Sequence, residues 1–234
     1  IRWVKRNISS FGGDPDNITI AGQSACGVSV LAQMACRDNE GAFNKAVVLS
    51  GMFRSPYETN PFFVPLPLEK AEKLGEEFFS FMGVSSLEEA RKLDASFVRS
   101  KYSEFRGVRN VMFCIVQDDK FCKGDAMKAF YSGDRVRVPV MAGNTGDEFI
   151  EGIKADDTDE LRNKAIKYFG DNVEKFLGFD EAVKKSWCGY AAVSQPEIGV
   201  KSAFICESRL SEPRDCYYYR FIPDIPGDDN PGTF

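Results

Sequence analysis

The sequence predicts an α/β protein in which a mostly parallel sheet is interrupted by a helical insertion. Two apolar runs carry the sheet: Ile18-Thr19-Ile20-Ala21 and Lys45-Ala46-Val47-Val48-Leu49 are short and rich in β-branched residues, as buried strands are. Between them Val28, Leu31, Ala32 and Ala35 recur at helical spacing, so strand, helix and strand follow one another as a parallel βαβ unit requires. The third observation is a change of pattern. From Phe53 to Arg135 a proline-rich stretch (Pro56, Pro61, Pro65, Pro67) leads into amphipathic helices, and an apolar run at 136–142 then resumes the sheet.

Trp3, Val4, Ile8 and Phe11 share one helical face, and Gly12-Gly13 supplies the positive φ that ends such a helix. Asp14-Pro15-Asp16-Asn17 is a turn before the first strand. Within the insertion, Leu68, Ala71, Phe78 and Met82 make one stripe, and Ser85-Ser86-Leu87-Glu88-Glu89 is a capping-box start for the next helix. The strand at 136–142 ends in a polar turn, Gly143-Asn144-Thr145-Gly146-Asp147-Glu148. Helices are expected at 159–169 and at 196–210, the latter with Pro196 at its first position, then a strand Cys216–Phe221 and a loop at 224–233. Neither an internal repeat nor a flexible linker divides the chain, so it reads as a single domain over 1–234 carrying a mainly helical insertion at about 53–135.

Composition excludes several classes. With 43% hydrophobic residues and 28% charged, the 234-residue chain can bury a sizeable core. Thirty Lys and Arg stand against 35 Asp and Glu, a net charge of −5 with no basic tract, so no nucleic-acid partner is expected. Apolar runs such as 46–49 and 62–64 fall far below the ~18 residues that cross a bilayer, so no transmembrane segment is expected. The chain opens on Ile1 rather than Met and reads as a fragment, which leaves its compartment open with the cytoplasm favoured, and its oligomeric state open too. Seven cysteines, with no C-x-x-C pair and no histidine to complete a metal site, are expected to be reduced thiols.

Chemistry concentrates at Gly22-x-Ser24-x-Cys26. A serine between a strand and a helix can sit on a tight, strained turn with its hydroxyl pushed out over the sheet edge, and Gly22 and Cys26 lie where larger side chains would collide with that turn. The amide of Ala25, at the start of the helix, would then stabilise the oxyanion formed when Ser24 attacks a carbonyl. Two plainer readings compete. Ser24 could merely cap the helix. Gly22-x-x-x-x-Gly27-Val28-Ser29 has the glycine spacing of a phosphate-binding loop, but Val28 replaces the lysine that such a loop needs, which removes that reading.

These residues also carry a resemblance. Trp3-Val4-Lys5-Arg6-Asn7-Ile8, Phe11-Gly12-Gly13-Asp14-Pro15-Asp16-Asn17-Ile18-Thr19-Ile20, Gly22-Gln23-Ser24-Ala25 and Phe43-Asn44-Lys45-Ala46-Val47-Val48-Leu49-Ser50-Gly51 resemble the type-B carboxylesterase and cholinesterase-like family of α/β-hydrolases. The likeness continues through Val138-Pro139-Val140, Gly143-Asn144-Thr145-Gly146-Asp147-Glu148, Tyr217-Tyr218-Tyr219-Arg220-Phe221 and Asp228-Asp229-Asn230-Pro231-Gly232-Thr233-Phe234. It implies a partial α/β-hydrolase fold and hydrolysis of a small carboxylic ester through an acyl-enzyme, with neither metal nor cofactor. Ser24 becomes the nucleophile, Glu148 the acid that orients the histidine, with Asp147 as its neighbouring alternative, Ala25 an oxyanion donor and Ser50 a partner of the acid. The histidine would lie just beyond Phe234, and the remaining oxyanion donors in an earlier loop outside the chain, so these 234 residues are expected to be inactive by themselves.

Cys26 departs from the family's usual glycine and is expected to be packed rather than reactive. A noncatalytic interaction module of the same fold is the alternative, since fold does not settle function.

Overall fold

Short apolar strands separated by amphipathic helices order the chain as the spacing requires. The structure, a computed structural model, describes residues 1–53, 65–109, 115–146, 148, 153–177, 184–186, 189–191 and 195–222. A helix α1 (Arg2–Asn7) tightens into a 3₁₀ turn over Ile8–Phe11 and stops at Gly12, where φ is 80°. β1 (Thr19–Gln23), α2 (Ala25–Ala35) and β2 (Lys45–Leu49) form the βαβ unit. Next come β3 (Leu66–Pro67), α3 (Leu68–Met82), α4 (Leu87–Ala90), α5 (Ala95–Arg109) and β4 (Val116–Gln117). The chain continues through α6 (Ala126–Ser132), β5 (Val140–Thr145), β6 (Lys154–Ala155), α7 (Thr158–Phe169), α8 (Val173–Leu177), β7 (Lys184–Ser186), β8 (Gly189–Ala191), α9 (Gln195–Ser208) and β9 (Cys216–Phe221). Two compact units result, one from residues 1–60 with 126–234 and one from 61–125.

In the first unit β1, β2, β5 and β9 lie side by side in that order, all parallel. Successive strand residues point to opposite faces. On one face Ala46, Val48, Val140 and Ala142 are buried beneath α2, α6 and α9, which contribute Leu31, Met34, Phe130, Val200 and Ala203 to the same core. The other face leaves Ala21, Met141, Tyr217 and Phe221 exposed. Trp3, Val4 and Phe11 on the first helical segment are exposed as well, and of the apolar stripe read there Ile8 is half-buried. A small antiparallel sheet, β6-β8-β7, and a second core of Ile153, Ala155, Leu161, Ala165 and Val173 were not foreseen.

The third strand of the sheet lies later than its sequence pattern. An apolar run at 136–142 predicts a strand ending before Gly143, yet β5 spans Val140–Thr145. Residues 136–139 are used otherwise: the Val136 amide donates to the Met34 carbonyl and Pro139 has no amide to pair. The strand continues through Asn144, whose buried side chain bonds the Tyr218 hydroxyl and the Thr145 carbonyl. α9 begins at Gln195, placing Pro196 second rather than first.

Beneath this sheet Arg135 and Glu207 form a buried pair at 2.6 Å, with Arg137 3.0 Å from the other carboxylate oxygen and the Arg135 guanidinium 3.9 Å from the centre of the Phe130 ring. Glu207 thereby ties α9 to the segment entering β5.

The second unit pairs β3 with β4 and packs α3 on α5, with Phe78 against Phe105. Ser86 caps α4 by accepting from the Glu89 amide, and the Glu89 carboxylate reaches back to the amide of Ser85, one residue before the cap. Pro56, Pro61, Cys114, Asp147, Cys188 and the 224–233 loop lie outside the described residues.

Candidate active site

Ser24 stands at the junction of β1 and α2 with φ 53° and ψ −123°, a left-handed conformation that a side-chain-bearing residue rarely adopts. Its side chain makes no capping hydrogen bond, and its φ is not that of a helix cap, so the plain capping reading fails. Two bonds fix the turn: the Ser24 amide donates to the Leu49 carbonyl at the end of β2 (2.8 Å), and the Val28 amide donates to the Ser24 carbonyl (3.0 Å). Gly22 makes the turn possible. A Cβ there would lie 2.3 Å from the Cys26 carbonyl oxygen and 2.9 Å from the Gly27 nitrogen. The crowding falls on backbone, while the Cys26 side chain is exposed, contrary to the packed thiol expected from sequence. Cys36, Cys122, Cys206 and Cys216 are also free thiols.

Ala25 is the first residue of α2, so its amide is among those a helix leaves without an intrahelical acceptor. Behind it Gly27 meets Gly51 so closely that a Cβ on either would sit within 3 Å of the other's Cα. This contact presses α2 onto the segment that follows β2.

Ser50 and Glu148 meet there. Ser50 follows β2, also at positive φ (44°), and donates its hydroxyl to Glu148 Oε1 at 2.7 Å. The same carboxylate oxygen accepts the Thr145 amide at 2.8 Å. Glu148 is 6% exposed and Ser50 8%. Ser24, Ser50 and Glu148 therefore follow the carboxyl ends of β1, β2 and β5, three neighbouring strands, so the serine and the acid are separated by one strand, about 10 Å at the sheet edge. Positive φ occurs at three non-glycine residues among those described, and two of them are Ser24 and Ser50. Such strain collects where chain geometry serves a site.

Beside the acid, burial and the negative charge of Glu148 push the Tyr219 phenol up from its ordinary value. Tyr218, on the helix-covered side, is pushed up to about 12 by burial first and by Glu197 second. Its hydroxyl donates to Asn144 Oδ1 (2.9 Å) and Asn144 Nδ2 donates to the Thr145 carbonyl (2.8 Å). Sequence reading missed Asn144, the Thr145 amide and Tyr218. The alternation Val140, Ala142, Asn144 would have shown a polar residue on the buried face once the strand was extended by two residues. Among the described residues no group of three or more Cys, Asp or Glu side chains is placed to hold a metal ion.

A parallel sheet with a serine on a strained strand-to-helix turn and a buried carboxylate two strands away is the arrangement of an α/β-hydrolase. Comparison with known proteins agrees: the family model described as the carboxylesterase family matches residues 1–193, and the chain belongs to that family. It is 29% identical over 155 residues to a para-nitrobenzyl esterase of Bacillus subtilis (strain 168), covering 63% of this chain and 30% of that protein. It is 35% identical over 136 residues to the bile salt-activated lipase of Rattus norvegicus, covering 56% of this chain and 22% of the lipase. A solved thermophilic PNB esterase superposes with a TM-score of 0.61 at 25% identity, covering 98% of this chain and 48% of the esterase. The chain thus spans less than a third of these curated relatives' length. Its fold is a partial α/β-hydrolase, mostly parallel with helices.

Proposed function

We propose that this chain carries the nucleophile and the acid of a hydrolase acting on small carboxylic esters, within one hydrolase domain interrupted by a mainly helical insertion. The observation that carries the reading is the linkage across three strand ends: the Ser24 amide bonds Leu49, and the next residue, Ser50, bonds Glu148. In this reading the Ser24 hydroxyl gives its proton to an imidazole and its Oγ bonds to the ester carbonyl carbon. The oxyanion is met by the Ala25 amide at the positive end of α2. Collapse breaks the bond to the alcohol oxygen, which takes the proton, and water then releases the acid by the same path reversed. Glu148 orients the imidazole and offsets its charge, and Ser50 holds Glu148. The 234 residues contain no histidine, so the reading takes the imidazole from outside them. No metal or cofactor enters any step.

The test compares p-nitrophenyl ester hydrolysis by the full-length protein with that of its Ser24→Ala variant. A loss on the order of 10⁴-fold or more is expected, because nucleophile, base and acid act as a unit. Equal rates refute the assignment. A serine-directed phosphonate should label Ser24 in the same protein, and failure to label a folded sample would favour the interaction module instead.

A further inference from the structure

We infer that Asn144 and Tyr218 are positioning residues for the acid: the Tyr218 hydroxyl holds the Asn144 carboxamide, which holds the carbonyl of Thr145, the residue whose amide donates to Glu148. The inference rests on the hydrolase reading. Three bonds make a continuous path. Tyr218 Oη donates to Asn144 Oδ1 (2.9 Å), Asn144 Nδ2 donates to the Thr145 carbonyl (2.8 Å), and the Thr145 amide donates to Glu148 Oε1 (2.8 Å). The path crosses from β9 to β5, whose register sets Tyr218 opposite Ala142 and Asn144 opposite Arg220.

Asn144 is a costly residue for its place. It is fully buried, on the face where Val140 and Ala142 meet the helices, and an apolar side chain there would avoid the cost of burying a polar group. Its retained polarity is matched by two partners of different kind, and this matching sets the orientation of the amide: the Thr145 carbonyl can only accept, so it takes Nδ2, which leaves Oδ1 for the tyrosine hydroxyl. Without this clamp the end of β5 is held by its ladder bonds, while the Glu148 carboxylate must sit within about 0.5 Å of its productive position. The Ser50 hydroxyl fixes the carboxylate from the β2 side and the Thr145 amide from the β5 side. Asn144 and Tyr218 brace the second of these. The Tyr218 hydroxyl, pushed up to about 12, stays protonated and donating at neutral pH.

The experiment uses the full-length protein with Tyr218→Phe, which deletes one oxygen, and Asn144→Leu, which keeps the branched shape in a larger side chain and removes both bonds. Misplacement by about 1 Å costs on the order of 100-fold and a smaller shift less, so about 10-fold is expected from either change in kcat, with KM unchanged. The acid limb of the kcat/KM profile should also move to lower pH, because an imidazolium less well met by Glu148 loses its proton more readily. The double variant should cost little more than either single one. Should Glu148→Gln abolish hydrolysis while Tyr218→Phe keeps wild-type kcat and profile, the positioning role is overturned and the hydrolase reading stands. Should Glu148→Gln itself retain full activity, both fall. If Asn144→Leu does not fold, Tyr218→Phe decides alone, and a fall in activity that follows only the fraction of folded protein counts against the inference.

Discussion

Replacing Gly22 by alanine tests whether the elbow is shaped by backbone contact. The added methyl would lie 2.3 Å from the Cys26 carbonyl oxygen, 2.5 Å from its carbon and 2.9 Å from the Gly27 nitrogen, all main-chain atoms in the first turn of α2. Ordinary contact begins near 3.4 Å, so the strand end and the helix start must part by about 1 Å. No side chain can swing aside to absorb this. Overpacking of that kind costs about 1–3 kcal/mol of stability. The same displacement moves the Ser24 hydroxyl relative to the Ala25 amide and the acid, and a shift of about 1 Å costs on the order of 100-fold in rate, roughly 2.7 kcal/mol of transition-state stabilisation. The assay is kcat/KM for a p-nitrophenyl ester alongside the urea midpoint of the same full-length sample. Gly12→Ala is the control. A methyl at Gly12 meets nothing within 4 Å but inherits φ 80°, so it should cost about 1 kcal/mol of stability and leave the rate alone. A Gly22→Ala protein with wild-type rate and midpoint would falsify the backbone-contact origin of the elbow, because these main-chain contacts leave no room for a methyl unless the elbow is built differently.

Two further outcomes follow from the buried charges. Burial pushes the Glu207 carboxyl up, but the Arg214 amide, Arg137 and Arg135 outweigh it and hold the group below its ordinary 4.5. The stability this contributes is present above pH 4.5 and is lost as pH falls through the lowered folded value. Urea midpoints taken from about pH 7 down to about pH 3 should therefore fall more steeply for the wild type than for Glu207→Gln, which should already be weaker by about 3 kcal/mol at neutral pH because Arg135 loses its buried partner. The Cys216 thiol is pushed up to about 11 from 9.0, by burial first and by Glu207 second. At any pH below 9 its thiolate is about 100-fold scarcer than an ordinary thiol's, so iodoacetamide should alkylate Cys216 about 100-fold more slowly in the native protein than in urea, as followed by peptide mass spectrometry.

How much of the site was legible in the sequence depended on how local its causes are. Ser24 was legible because its geometry is set by neighbours: Gly22 before it, a β-branched strand behind it and a helix ahead. The position of Glu148 came through family resemblance, since a carboxylate three residues beyond a strand has nothing local to distinguish it from a solvated one. Its burial and its two donors depend on Ser50 and Thr145, which reach it only because β2 and β5 are neighbours. The sequence pattern ends β5 too early because polarity there also signals a turn. Asn144 is polar and buried at once, which a one-dimensional pattern cannot distinguish from polar and exposed.

The sequence by itself determined the parallel βαβ unit, the strained serine turn, the helical stretch after it and the family, all of which rest on spacings of a few residues. Tertiary structure alone decided that one sheet face is roofed by α2, α6 and α9 while Ala21, Met141, Tyr217 and Phe221 stay exposed, that the Cys26 thiol is open, and that Tyr218 bonds Asn144 across two strands. The physical reason is range. Backbone preference and hydrophobic period act between near neighbours in the chain, whereas a buried hydrogen bond joins residues such as Ser50 and Glu148, 98 positions apart, and exists only once the strands that carry them are paired.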